Sequence, residues 1–220
     1  MYQDILAYSS AHGAKLVAVS KTKPVDDILN LYQSGQRIFG ENKVQELVSK
    51  YEVLPKDIQW HLIGHLQKNK VKYIAPFISM IHSVDSLELL LVINKEATKN
   101  NRNIKVLLQF HIATEETKFG LNQVEAIEIL STLKSHSLSN VTICGVMGMA
   151  SFIEDTDLIR SEFRFLREIF TALKSGFFKE DTFFKEISMG MSGDYKLAIE
   201  EGSTIVRIGS AIFGERRHSE

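Results

Sequence analysis

Short apolar or β-branched runs recur along the chain, and between them lie longer stretches in which apolar residues return every three or four positions. Eight runs stand out: KLVAVSK (15–21), RIFGE (37–41), WHLIG (60–64), MIHSV (80–84), KVLLQFHI (105–112), NVTICGVMGM (140–149), EISMG (186–190) and TIVRIG (204–209). Runs of this length bounded by turn residues predict strands, and the stretches between them predict helices. The runs start 18 to 46 residues apart, room in most gaps for a loop and a crossover helix. Helix signals fall in those gaps. Pro24 opens VDDILNLYQSG, with two acids in its first turn and Gly35 as a stop. Asp85 stands before SLELLLVINKEATKNN, and Asp155 stands just before the amphipathic DLIRSEFRFLREIFTALKSGF. Strand followed by helix, eight times over, predicts an α/β fold in which one domain, 1–220, forms a closed (β/α)8 TIM-type barrel. An open doubly wound sheet is the other architecture that this alternation allows.

Composition narrows the partners. At 220 residues, 44% apolar and 24% charged, the chain can bury one sizeable core. Its 26 basic and 27 acidic residues leave a net charge of -1, so no bulk field draws it to nucleic acid or an anionic membrane. Cys144 is the only cysteine, which excludes an internal disulfide and a cysteine metal cluster. A lone thiol fits a reducing compartment. With no basic-then-apolar leader and no apolar run of membrane-spanning length, the expectation is a soluble cytoplasmic protein.

In barrels of this kind chemistry sits at the carboxyl ends of the strands, so polar residues that end apolar runs are the first candidates. Lys21 ends the first run. Burial there would favour a neutral amine, the form that attacks an aldehyde to make a Schiff base; a lysine snorkelling to solvent from a strand end is equally consistent. Lys23 could add a neighbouring charge or be an ordinary loop residue. SMGMSGD (188–194) and RIGSAIFG (207–214) place small residues after the seventh and eighth strands, where backbone N–H groups can approach a phosphate. Arg207, flanked by apolar residues in TIVRIG, needs a partner if buried. That partner is a carboxylate of Glu41, Glu46 or Asp194, or an aromatic nitrogen of a ligand, which the guanidinium would keep unprotonated. His61 and His82 read as acid–base groups, as metal ligands or as satisfied core histidines. Asn42 offers a hydrogen-bonding group at the end of the second strand, and Gln45 and Glu46 are expected to cap or line the helix that follows.

The stretches AVSKTKP (18–24), FGENKVQE (39–46), WHLIGHLQKNK (60–70), HSVDS (82–86), KFGL (118–121), GVMGM (145–149) and SMGMSGDYKLAIEEGSTIVRIGSAIFG (188–214) together resemble the YggS/PROSC family of pyridoxal phosphate homeostasis proteins. The resemblance covers nearly the whole chain in order. It implies a barrel like the alanine racemase N-terminal domain, with pyridoxal 5'-phosphate held as a Schiff base on Lys21. By the same matching, Ser192 and the backbone around Ile208, Gly209 and Ser210 would hold the phosphate, Arg207 would face the pyridine nitrogen, and Asn42 and His61 would lie close to the cofactor.

The resemblance further implies buffering or delivery of vitamin B6 cofactor without catalysis, with transient contact with pyridoxal phosphate enzymes. Residue chemistry points the same way, because racemases need a second base and a cover that excludes water, and this chain is expected to stop soon after its eighth strand. A racemase-like enzyme whose second base comes from a partner subunit is the alternative. A lysine-dependent aldolase that binds a sugar phosphate without cofactor is the third reading.

Overall fold

In the computed structural model, which describes residues 1–114, 119–133 and 138–214, eight parallel strands close into a barrel in chain order. The strands are β1 (Lys15–Val19), β2 (Ile38–Glu41), β3 (Gln59–Leu62), β4 (Met80–Val84), β5 (Ile104–Gln109), β6 (Val141–Met147), β7 (Glu186–Ser188) and β8 (Ile205–Ile208). Closure is made by β1 against β8, with Val17 paired to Arg207 and Ala18 to Ile208. The open doubly wound sheet is thereby excluded. Each expected run overlaps one strand; β3 and β5 start one residue earlier than expected, and the longest runs overshoot, residues 110–112 and 148–149 lying beyond β5 and β6.

The helices are α1 (Tyr2–Ala11), α2 (Val25–Gln33), α3 (Val44–Val53), α4 (Val71–Ile74), α5 (Leu87–Lys99), α6 (Gln123–Leu133), α7 (Thr156–Gly176), α8 (Tyr195–Glu200) and α9 (Ser210–Phe213). The α7 start is as expected, with Asp155 Oδ1 accepting from the N–H groups of Asp157 and Leu158 at 3.0 and 3.1 Å. At α5 the cap is displaced by one residue. Ser86, not Asp85, accepts the Leu89 N–H at 3.3 Å, while Asp85 turns toward His65. Residues 215–220, the expected tail, and Lys118 of KFGL lie outside the described residues.

Strand alternation sorts the side chains into two layers. Ala18, Phe39, Trp60, Ile81, Val106, Val146 and Ile187 point outward and join the main core between sheet and helices. Val17, Met80, Leu107, Cys144, Met147 and Ile205 point inward and form an apolar plug. Beside that plug other inward positions are polar: His61, His82, Ser188 and Arg207 are all buried. Since a buried polar group is costly unless paired, the interior must pair them with one another or with a ligand.

Candidate functional site

Alternation carries Lys15, Val17 and Val19 to the barrel interior, and Lys21 is next in that series, at the carboxyl rim. The Ser20 N–H still donates to Gly40 O at 3.0 Å, so the ladder with β2 runs up to the residue before this lysine. Lys21 is half-buried.

The peptide groups on both sides of Lys21 are fastened from below by a buried ion cluster. Lys50 Nζ, on α3, donates at 2.7 Å to Ser20 O, to Glu41 Oε1 and to Glu46 Oε1. Ser20 Oγ donates to Glu41 Oε1, and the Thr22 N–H donates to Glu46 Oε1, each at 2.6 Å. Thr22 has φ +63°, a left-handed conformation that costs an L-residue about 1–2 kcal/mol. Its bond to Glu46 offsets that cost. Burial pushes the Glu41 carboxyl up from the usual carboxylate range, while Lys50 and Ser20 pull it back. Glu46, expected to cap or line α3, lies in its first turn and pairs with Lys50 along it, and it also reaches the loop carrying Lys21. Lys50 was not singled out in the sequence, yet a signal existed, for it continues the buried Val44, Leu47 stripe of an amphipathic helix. A charged residue on such a stripe calls for buried partners. Lys23 Nζ donates to Phe213 O and Gly214 O at 3.1 and 2.9 Å, strapping the same loop to the end of α9.

On the other side of β1, the loops after β7 and β8 meet at one point. Ser192 Oγ accepts from the N–H groups of Gly209 and Ala211, both at 3.3 Å. Glycine favours this close approach. A Cβ on Gly209 would lie 3.1 Å from Val19 O, and one on Gly190, at φ +95°, would meet Ala198 Cβ at 2.6 Å. Ile208 is buried in β8, and Ser210 is exposed at the start of α9. Asn42 is half-buried after β2, its backbone pressed against Gly64, whose carbonyl accepts from Ser83 Oγ at 2.6 Å.

Inside the mouth, Arg207 donates from Nη1 to Ser188 Oγ at 2.6 Å and from Nη2 to Gly148 O at 3.0 Å. Its hydrogen-bond partners are these neutral oxygens; of the three expected carboxylates, Glu41 and Glu46 are taken by Lys50, and Asp194 acts on the guanidinium through its charge. Burial lowers the Arg207 pKa to about 10, so it stays charged at neutral pH. Ser188 Oγ also lies 3.0 Å from His82 Nδ1, and His82 Nε2 lies 2.9 Å from His61 Nδ1. Burial, reinforced by Lys15 and Lys105, drives His61 down to about 3; burial, His61 and Arg207 hold His82 well below its ordinary value. Both rings are therefore neutral. Among the described residues there is no cluster of three metal-ligating side chains, so the metal reading of the histidines has no third ligand. Their pairing with each other, and the part played by Ser188, could not be foreseen from residues on different strands.

Lys21, Asn42, His61, Ser192, Arg207, Ile208, Gly209 and Ser210 thus come from five strands, β1, β2, β3, β7 and β8, onto one rim. The arrangement offers a half-buried amine, converging backbone donors fit for an anion, and a buried cation held toward the barrel axis. No helix among the described residues is long and apolar enough to cross a membrane.

A family model described as "Alanine racemase, N-terminal domain" matches residues 2–217. A protein of Aquifex aeolicus called pyridoxal phosphate homeostasis protein is 42% identical over 207 residues, covering 93% of this chain and 88% of its own. A mouse protein of the same name is 41% identical over 218 residues, covering 94% and 78%. The structure of PipY from Synechococcus elongatus with PLP bound superposes with a TM-score of 0.84 at 33% identity, covering 96% and 99%. Alanine racemase of Bartonella henselae, at 16% identity and a TM-score of 0.69, shares the fold alone.

Proposed function

Since this chain belongs to the family of pyridoxal phosphate homeostasis proteins, built on the alanine racemase N-terminal fold, we propose that it binds pyridoxal 5'-phosphate at the barrel mouth and buffers or delivers that cofactor in the cytoplasm. Lys21 would hold the cofactor aldehyde as a Schiff base. Ser192 and the backbone of Ile208, Gly209 and Ser210 would take the phosphate, Arg207 would face the ring nitrogen, and Asn42 and His61 would complete the rim. The observation that carries this reading is the meeting of three loops: a half-buried lysine after β1 beside the paired Gly209 and Ala211 N–H groups and the buried Arg207. A Cβ at position 209 would press on Val19 O at 3.1 Å, so the small residue lets the backbone that carries these N–H groups lie close against β1.

When bound, the cofactor supplies an electrophilic carbon. The chain does the rest. The Lys50 cluster fixes the backbone on both sides of the amine, and the converging N–H groups orient an anion. Arg207 stays charged up to a pKa of about 10, and a cation opposite the ring nitrogen keeps that nitrogen unprotonated, which weakens the electron withdrawal that racemisation needs. This favours a carrier over an enzyme. On this reading one barrel domain does the work, the lone buried thiol of Cys144 suits a reducing cytoplasm, and contact with recipient pyridoxal phosphate enzymes is transient.

The test is the visible absorbance of the protein with added pyridoxal phosphate, before and after borohydride, for wild type and Lys21→Ala. The expected result is a band in wild type that reduction locks onto the peptide holding residue 21, absent from the variant. A wild type without any band would overturn the cofactor reading. Sustained turnover of L-amino acids, abolished by Lys21→Ala, would overturn the carrier reading and restore the racemase-like enzyme.

A further inference from the structure

The four buried polar groups inside the mouth form a line that crosses the barrel from β8 through β7 and β4 to β3, and the line has a direction. A guanidinium has donors and no acceptor, so Ser188 Oγ must accept from Arg207 Nη1 at 2.6 Å. The hydroxyl proton of this fully buried serine then has one acceptor within reach among the described residues, His82 Nδ1 at 3.0 Å. A neutral imidazole carries a single proton. With Nδ1 accepting, the His82 proton sits on Nε2 and is donated to His61 Nδ1 at 2.9 Å. By the same rule the His61 proton sits on Nε2. Among the described residues only Ser9 Oγ, Glu41 Oε2 and Trp60 Nε1 are enclosed side-chain atoms without a partner. His61 Nε2, which hydrogen-bonds none of those residues, therefore keeps an opening on the inward face of β3.

We propose that the Arg207–Ser188–His82 relay makes His61 a fixed donor, so that Nε2–H and not a lone pair is what the ring presents at the mouth, and that the ligand group docking there is a hydrogen-bond acceptor such as a phenolate or carbonyl oxygen. Ser188 and His82 are positioning residues in this scheme. Arg207, having no acceptor to offer, sets the polarity of every bond after it. The identity of the ligand rests on the function proposed above; the direction of the relay does not.

Two-bond nitrogen–proton NMR of the imidazoles, on cofactor-free protein and again with pyridoxal phosphate added, reads the tautomers directly. Both rings should show the neutral Nε2–H pattern in both states. In Ser188→Ala, His82 loses the donor that held its Nδ1, and the pure pattern should give way to a mixture while circular dichroism stays unchanged. An Nδ1–H pattern on either ring of the wild type, or an unaltered pattern in Ser188→Ala, overturns the relay. For the ligand, His61→Gln keeps a side-chain N–H and should lose less pyridoxal phosphate affinity than His61→Phe, which should fall about tenfold. Equal affinities in the two variants overturn the donor role at the mouth. A wild type that binds no pyridoxal phosphate overturns the function proposed above, while the cofactor-free spectra still decide the relay.

Discussion

Acid should destabilise this protein at a pH where most of its carboxylates are still ionised, because two histidines are buried neutral. His61 titrates at about 3 in the folded chain against an ordinary 6.5. The folded pKa is depressed, so the unfolded state takes up the proton first, and stability present above pH 6.5 is lost as pH falls from 6.5 toward 3. Between pH 8 and pH 5 the unfolded ring goes from almost wholly neutral to almost wholly charged while the folded ring stays neutral. At 25 °C that difference amounts to about 2 kcal/mol for His61 alone. His82, also held well below 6.5, acts in the same direction. Glu41, pushed up by burial, opposes them, since its protonation favours the folded state. The assay is urea unfolding followed by circular dichroism from pH 8 to pH 5, for wild type and for the double variant His61→Gln, His82→Asn. The contribution of Glu41 is common to both and cancels in the difference. Wild type should lose at least about 2 kcal/mol more than the variant over this range. Parallel curves would refute the reasoning, for they would mean that the two rings protonate as freely in the barrel as in water.

The Lys50→Met variant leaves Glu41 buried without its cation and should cost about 3–5 kcal/mol, seen as a fall in thermal midpoint of roughly 6–20 °C. Lys50→Arg should recover part of the midpoint and, because Ser20 O and Glu46 keep a donor, part of the borohydride-lockable cofactor at Lys21; a Met variant that loads cofactor like wild type would refute a positioning role for Lys50. Burial raises the Cys144 thiol to about 11, so at pH 8 only about one molecule in a thousand should carry the thiolate. A disulfide-exchange reagent should leave the native protein untouched and react at once in denaturant, and stoichiometric reaction of the native protein within seconds would contradict the burial.

What the sequence by itself determined follows from short-range patterns. Alternating apolar runs at crossover spacing define eight strands, because a strand inside a barrel must be apolar on both faces wherever it has no ligand to meet. The same logic exposes Lys21 and Arg207, charged residues where the chain should be apolar, and the small residues around Gly209 mark a backbone able to approach an anion. The Asp155 cap is readable for the same reason, its partners being two and three residues away. Only the tertiary structure decided who pairs with whom. Lys50 and Ser20 are 30 positions apart, His82 and Ser188 are 106 apart, and the choice of Ser188 over a carboxylate as partner of Arg207 depends on which inward positions barrel closure brings level. A periodic pattern says that a polar residue is buried and therefore needs a partner; the register of strands far apart in the chain supplies the partner, and no local signal encodes it.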